Sequence, residues 1–128
     1  MPKYVEHLVL LKTKRTPNAD EVARIQSLAS LPGVVFLAAG TNYTARGQGF
    51  NFGISVRFTS PEAEVAYQTH PIHVAVRDEV IKPLLDITQA SPILAMDFEH
   101  TQPPKLVPLI VGAAVGVVLS MLAQRVRK

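Results

Sequence analysis

The sequence contains no cysteine in its 128 residues, so disulfide bonds, thiolate catalysis and cysteine-based zinc sites are excluded. It also lacks a concentrated basic surface. Nine of its 13 basic residues are balanced by ten acidic ones, and the other four lie in or beside the C-terminal tail: Lys105, Arg125, Arg127 and Lys128. Because a protein that binds nucleic acid needs clustered lysine and arginine, we expect no nucleic-acid partner.

The length suits one domain with a two-layer core, and we expect no signal or transit peptide ahead of the first predicted strand. The clearest strand is 50–58, where large apolar residues recur with a period of two. A capping hydroxyl at Ser60 and a first-turn proline at Pro61 then predict a helix. Apolar periodicity and turn residues predict strands at 4–12, 34–39, 50–58 and 92–99, and helices at about 20–30, 61–69 and 71–81, the last broken by Pro83.

This order of elements, βαββαβ, is that of the ferredoxin-like α+β fold, an antiparallel four-stranded sheet with helices on one side. The first and last strands are nevertheless apolar on both faces, and the last strand carries Leu94, Met96 and Phe98 on one of them. An apolar sheet face that no helix covers predicts a partner. The simplest partner is a second copy that closes the two sheets into a barrel, so we expect a homodimer.

The most informative stretch for function is 67–80, where a proline separates two histidines. Pro71 should end one helix near Thr69 and begin another, which places His73 in a first turn. Peptide dipoles there favour the neutral imidazole, which can accept a proton, and the hydroxyl of Tyr67 could hold a substrate oxygen. The alternative is an ordinary helix junction that contains two ordinary histidines.

We expect neither a metal nor another cofactor. His70 and His73 flank a proline and have no cysteine to complete a ligand set, and spacing alone does not bring His7 or Asp97 to them. The glycines of segment 46–49 precede a strand and not a helix, so they do not form a phosphate-binding loop.

Three segments resemble the stress-responsive dimeric α/β-barrel (Dabb) family: VEHLVLLK at 5–12, YQTHPIHV at 67–74 and MDFE at 96–99. The resemblance covers about 4–99 and implies a dimeric ferredoxin-like barrel. One family member cyclises a linear polyketide by intramolecular aldol condensation, and its general-base histidine and assisting tyrosine match His73 and Tyr67. By the same match, His7 would line the cavity and Asp97 would orient His73.

Two classes of function stay open. Many members of the family resemble stress-induced proteins without established chemistry, which favours a stress-related module that binds a small apolar ligand. The alternative is a small cofactor-free cyclase or lyase acting on a polyketide-like carbonyl substrate. The first helix offers Ile25, Gln26 and Ala29 where the polyketide cyclase has aromatic residues, so we expect a cavity of different shape and favour the binding module.

The C-terminal region predicts a membrane anchor. After domain 1–100 and linker 101–105, residues 106–123 carry no charge, and a helix of that length spans about 27 Å, close to the hydrocarbon core of a bilayer. We therefore expect a transmembrane helix at 106–124, followed by the basic tail 125–128. The domain would face the cytosol, and the sequence leaves open a mitochondrial, peroxisomal or plastid outer membrane.

Overall fold

The structure, a computed structural model, describes residues 3–101. Its strands are β1 (Lys3–Leu11), β2 (Val34–Thr41), β3 (Phe52–Phe58) and β4 (Ile93–Thr101). Its α-helices are α1 (Ala19–Gln26), α2 (Pro61–Thr69), α3 (Pro71–Val76) and α4 (Lys82–Leu84), with 3-10 turns at Ser27–Ser30 and Ala45–Gly47 and a π turn at Arg77–Ile81.

The predicted linker beyond Thr101, the predicted transmembrane helix 106–124 and the predicted basic tail 125–128 lie outside the described residues. Within 3–101, none of the helices has the length and apolar character needed to cross a membrane.

The four strands form one antiparallel sheet in the order β2-β3-β1-β4, which confirms the predicted ferredoxin-like α+β fold. In the middle of the sheet, His7 of β1 lies opposite Val56 of β3 on one side and opposite Asp97 of β4 on the other. Directly opposed residues of antiparallel strands share a face. This register therefore places the side chains of His7 and Asp97 side by side.

The core lies between the sheet and the helices that cover one of its faces. Alternation along β3 turns Phe52, Ile54, Val56 and Phe58 inward, as the sequence predicts. Burying such side chains contributes about 1.5–3 kcal/mol each, which fixes the register of the central strands. The helical segments supply the facing layer, with Ile25, Leu28, Tyr67, Val76, Val80 and Leu84 all buried.

Local signals explain where two of the helices begin. Asn18 caps α1 by accepting a hydrogen bond from the N–H of Glu21, whose carboxylate in turn accepts one from the N–H of Asn18. Ser60 caps α2 in the same position, and its hydroxyl accepts the N–H of Ala63. Gly33, with φ of 84°, is the last residue of the turn before β2, and a Cβ added there would lie 2.6 Å from the Cβ of Ala63.

The prediction that Pro83 breaks the helix that begins at Pro71 is wrong. The helix continues through the π turn into α4 and ends at Leu84. In an unbroken α-helix the ring of Pro83 would collide with the carbonyl of residue 79. The π turn, in which the N–H of Lys82 donates to the carbonyl of Arg77, changes the hydrogen-bond register before the proline, which then falls in the first turn of α4.

No helix within residues 3–101 covers the second face of the sheet. We call it the open sheet face, and its large apolar residues are Leu8, Leu10, Phe36, Leu94, Met96 and Phe98. At one end of it, Glu6 is buried between Arg57 and His100, and its carboxylate accepts hydrogen bonds from both. Burial alone would raise the pKa of Glu6, but these two partners hold it below its usual value.

Candidate functional site

A cavity of about 190 Å³ lies between the sheet and the helices, and we call it the central cavity. Most of its lining is apolar: Val9, Leu11, Leu28, Ile54, Val56, Ile81, Ile93 and Ala95. Five polar or charged residues interrupt this lining, namely His7, Tyr67, Gln68, His73 and Arg77. A largely apolar hollow with a few convergent polar groups is typical of a small-molecule site.

Tyr67 and His73 meet at the junction between α2 and α3, which lies where the sequence predicts it. The two rings are 4.6 Å apart between centroids, and the Tyr67 ring also packs edge-on against Phe58 at 4.8 Å. Pro71 separates the two helices, so a side chain at the end of α2 and one in the first turn of α3 reach the same cavity. The structure thus brings together the predicted tyrosine and histidine.

His70, the other histidine of the junction, has a structural role. Its Nδ1 accepts the N–H of Ile72 at 3.1 Å and caps the first turn of α3. His73 Nδ1 lies 3.1 Å from the carbonyl oxygen of Gln68. Because a carbonyl oxygen can only accept, Nδ1 of His73 carries the hydrogen, and its Nε2 holds the free lone pair in the neutral ring.

The electrostatic environment favours neutral forms of both aromatic groups. Burial lowers the pKa of His73, against the opposing effect of its hydrogen bond to the Gln68 carbonyl. Burial also raises the pKa of Tyr67 to about 12, so its hydroxyl keeps its proton. Within residues 3–101, no hydrogen bond engages that hydroxyl, although Tyr67 is only 3% exposed. The site therefore offers a buried donor beside a neutral imidazole.

The structure corrects the expectation that Asp97 orients His73. The Oδ1 atom of Asp97 lies 2.5 Å from Nδ1 of His7, while His73 is held by a main-chain carbonyl. The cause is the strand register, which makes Asp97 and His7 direct neighbours. His7 lies in the lining of the central cavity, and its Nε2 is 3.5 Å from the side-chain amide nitrogen of Gln68.

Glu64 joins this pair although sequence reasoning did not identify it. Its Oε2 is 3.2 Å from Nδ1 of His7. Burial and the neighbouring Asp97 raise the pKa of Glu64 to about 7, whereas hydrogen bonds from Glu64 and His7 lower the pKa of Asp97. The sequence does contain a pattern that could have identified Glu64. Glu64, Tyr67 and Gln68 stand at positions i, i+3 and i+4 of α2, and this spacing places them on one helix face.

The fold and cavity define this chain as a ferredoxin-like α+β protein with a helix-covered internal site. Within that class, residues 5–100 match the family described as Stress responsive A/B Barrel Domain, and the chain belongs to this family. The family resemblance drawn from the sequence is confirmed. A relative from Arabidopsis thaliana, a stress-response A/B barrel domain-containing protein, is 26% identical over 127 residues. The match covers 95% of this chain but 46% of that relative, so the chain spans less than half its length.

Solved structures show the same fold. A dimeric ferredoxin-like protein of unknown function from Jannaschia sp. CCS1 is 25% identical, with a TM-score of 0.60 over 74% of this chain and 97% of that one. A protein from Arabidopsis thaliana is 20% identical and gives 0.63 over 79% and 99%. The hydroxynitrile lyase from Passiflora edulis is 16% identical and gives 0.61 over 82% and 100%.

Proposed function

We propose that this chain is a homodimeric, membrane-anchored A/B barrel module that binds a small apolar ligand in the central cavity. The observation that carries the ligand-binding part is the hydroxyl of Tyr67, which is buried at the cavity without a hydrogen bond to any of residues 3–101. A buried hydroxyl without a partner costs free energy. An acceptor oxygen on a ligand would recover that cost.

The lining defines the chemistry of this ligand. At about 190 Å³ the cavity is smaller than the roughly 300–1,000 Å³ of sites for drug-sized molecules, so the ligand is small. Its body is apolar, to match the aliphatic lining. Tyr67 donates to one oxygen, such as a carbonyl, and Nε2 of His73 can accept a hydrogen bond from a neighbouring O–H or acidic C–H.

A comparison of two tyrosine variants tests the ligand-binding proposal. A library of small aliphatic and aromatic ketones, aldehydes and esters is screened by saturation-transfer nuclear magnetic resonance. Any binder should lose about tenfold or more in affinity on Tyr67→Phe, since one hydrogen bond to a buried hydroxyl is worth about 1.5 kcal/mol. Tyr43→Phe is the matched control, because Tyr43 is 95% exposed. Binders that bind Tyr67→Phe as tightly as wild type would exclude this role.

The homodimer is supported by the open sheet face. Leu94, Met96 and Phe98 are 51%, 55% and 42% exposed, on a face that none of the helices described between residues 3 and 101 covers. A contiguous apolar face of this kind is suited to a second copy. The carboxylate of Glu6, at the end of this face, already accepts hydrogen bonds from Arg57 and His100 within the protomer, so closing the barrel would not leave it without partners.

The membrane anchor is supported by the 18 uncharged residues 106–123 and by the basic residues that flank them. Full-length protein should pellet with membranes and resist alkaline carbonate, with its domain accessible from the cytosolic side. Val115→Arg, near the centre of the segment, should cost about 2.5 kcal/mol or more of insertion free energy and release protein to the soluble fraction. Val115→Leu is the matched control. Extraction of wild type by carbonate would contradict the anchor.

A second candidate function is a cofactor-free cyclase or lyase, and the 4.6 Å Tyr67–His73 pair favours it. Neutral His73 would remove a proton through Nε2, and the Tyr67 hydroxyl would donate to the developing oxyanion. The fold of the Passiflora edulis hydroxynitrile lyase is compatible with such chemistry. His73→Ala should reduce turnover of a carbonyl substrate by about 10²- to 10⁴-fold, whereas His70→Asn, which keeps a capping acceptor, should not. Retained turnover in His73→Ala would exclude His73 as the base.

A further inference from the structure

We propose that His7, Glu64 and Asp97 form a site for a divalent transition-metal ion on the outer side of the central cavity. The three residues come from β1, α2 and β4, and one ligand atom of each lies within 4.8 Å of the other two. This goes beyond ligand binding in the cavity, because the metal would sit at the opposite nitrogen of the His7 ring from the cavity.

The donor atoms already converge. Nδ1 of His7 is 2.5 Å from the Asp97 carboxylate and 3.2 Å from that of Glu64, and the histidine is buried. A neutral imidazole has one N–H, which cannot bond well to two carboxylates at once. The two carboxylates therefore crowd one ring nitrogen, and a shared cation would offset the repulsion between their charges.

A separate surface pocket gives an ion access to these donors. This outer pocket, of about 180 Å³, is lined by Val5, Pro61, Glu64, Asp97, Phe98 and Glu99. It contains two of the proposed ligands and a third carboxylate, so it attracts cations. It also leaves room for water at the coordination positions that the three side chains do not fill.

A residue outside the three proposed ligands, Gln68, supports the metal site by its position beside His7. A histidine that binds metal through one nitrogen usually donates its other N–H to a fixed acceptor. The side-chain amide of Gln68 lies 3.5 Å from Nε2 of His7, and rotation of this amide by half a turn would present its oxygen there. Gln68 can therefore hold the imidazole in the orientation that a metal on Nδ1 requires.

The donor set selects the class of metal. One imidazole nitrogen and two carboxylates suit Zn²⁺, Mn²⁺, Fe²⁺ or Co²⁺, whereas Ca²⁺ and Mg²⁺ favour ligand sets made of oxygen alone. A metal on Nδ1 would also move the ring hydrogen of His7 to Nε2. His7 would then change from a hydrogen-bond acceptor to a donor in the central cavity.

Metal titration of the full-length, untagged chain in detergent tests the site. Metal-free protein should bind one Co²⁺ or Zn²⁺ per protomer by calorimetry, with a visible Co²⁺ spectrum. Glu64→Gln and Asp97→Asn should each weaken binding by at least about tenfold, because each removes a charged ligand. Glu62→Gln is the matched control, since it removes an exposed carboxylate of the same helix and should bind like wild type.

Two results would overturn the proposal: no saturable binding of Zn²⁺, Co²⁺ or Mn²⁺, or binding that both variants retain in full. If a variant fails to fold, the imidazole ¹⁵N resonances of wild-type protein decide the question. A Zn²⁺-dependent shift that identifies Nδ1 of His7 as the metallated nitrogen supports the site. An unchanged His7 spectrum at saturating Zn²⁺ refutes it and leaves the three residues as a proton-sharing cluster.

Discussion

Replacing Met96 with aspartate should convert the proposed homodimer into folded monomers. Met96 is central in the exposed row Leu94, Met96 and Phe98 of β4 and lies opposite Leu8 of β1. It is 55% exposed in the protomer, so its substitution leaves the core between sheet and helices intact. If two open sheet faces meet, however, the same position lies inside the interface, where an unpaired carboxylate is costly.

The magnitude follows from this exposure. Covering the 55% of Met96 that is free contributes about 1 kcal/mol, roughly half of what burying a whole methionine side chain yields. An aspartate without a partner at the same place loses about 2 kcal/mol or more of hydration. Because each of the two protomers contributes both effects, the free energy of dimerisation becomes less favourable by about 6 kcal/mol. That corresponds to an increase of about 10⁴-fold in the dissociation constant.

Sedimentation velocity measures this directly. Because the sheet, its helices and the core lie within 3–101, a chain that ends at Gln102 keeps the whole domain. Wild type should sediment as a dimer at micromolar concentration, and Met96→Asp as a monomer with an unchanged circular dichroism spectrum. Val65→Asp, on α2 and 65% exposed, is the matched control and should remain dimeric. A dimeric Met96→Asp chain, or a monomeric wild type, would refute the reasoning.

Three further predictions concern the protomer. Tyr67→Phe should leave the free energy of unfolding in urea within about 0.5 kcal/mol of wild type or raise it, because the lost hydroxyl has no partner within 3–101; a loss above about 1 kcal/mol would contradict this. Burial lowers the pKa of His73, so its contribution to stability is complete above about pH 6.5 and declines as the pH falls through the lower folded value. Thermal melts should therefore show less acid destabilisation for His73→Gln than for wild type, and equal slopes would contradict the assignment. Gly33→Ala should cost about 1–3 kcal/mol in urea unfolding, since it combines φ of 84° with a 2.6 Å approach to Ala63; an unchanged midpoint would contradict this.

Those parts of the fold that depend on local signals could be predicted from the sequence. The period of two in β3 separates a buried face from a polar one, and the structure buries its apolar residues from Phe52 to Phe58, while Phe50 lies before the strand and is only partly buried. Pro71 restricts the residue before it and suits a first helical turn, so the end of α2 at Thr69 and the start of α3 were both predictable. The same junction brought Tyr67 and His73 into one cavity.

The parts that depend on tertiary register could not be predicted in this way. Asp97 reaches His7 because β4 pairs with β1 at one particular register, and a shift by one residue would turn its side chain to the other face. Glu64 acquires its unusual environment only when α2 packs over that pair. The π turn before Pro83 is likewise an adjustment of the hydrogen-bond ladder, and no residue type specifies it.

The two cavity histidines differ in what controls their hydrogen atoms. Nδ1 of His73 donates to a main-chain carbonyl, which neither titrates nor exchanges, so its Nε2 stays an acceptor whenever the ring is neutral. Nδ1 of His7 faces two carboxylates at the outer pocket, where the proposed metal ion would change its bonding. Tyr67 donates in either case, since its pKa is about 12. The proposed ligand, with one acceptor oxygen, would therefore accept a hydrogen bond from Tyr67 in either case. A second polar contact between this ligand and the cavity would depend on whether Nε2 of His7 donates or accepts. Under the two proposals together, a metal ion at the outer pocket would therefore change, through this one imidazole, which ligands the central cavity accepts.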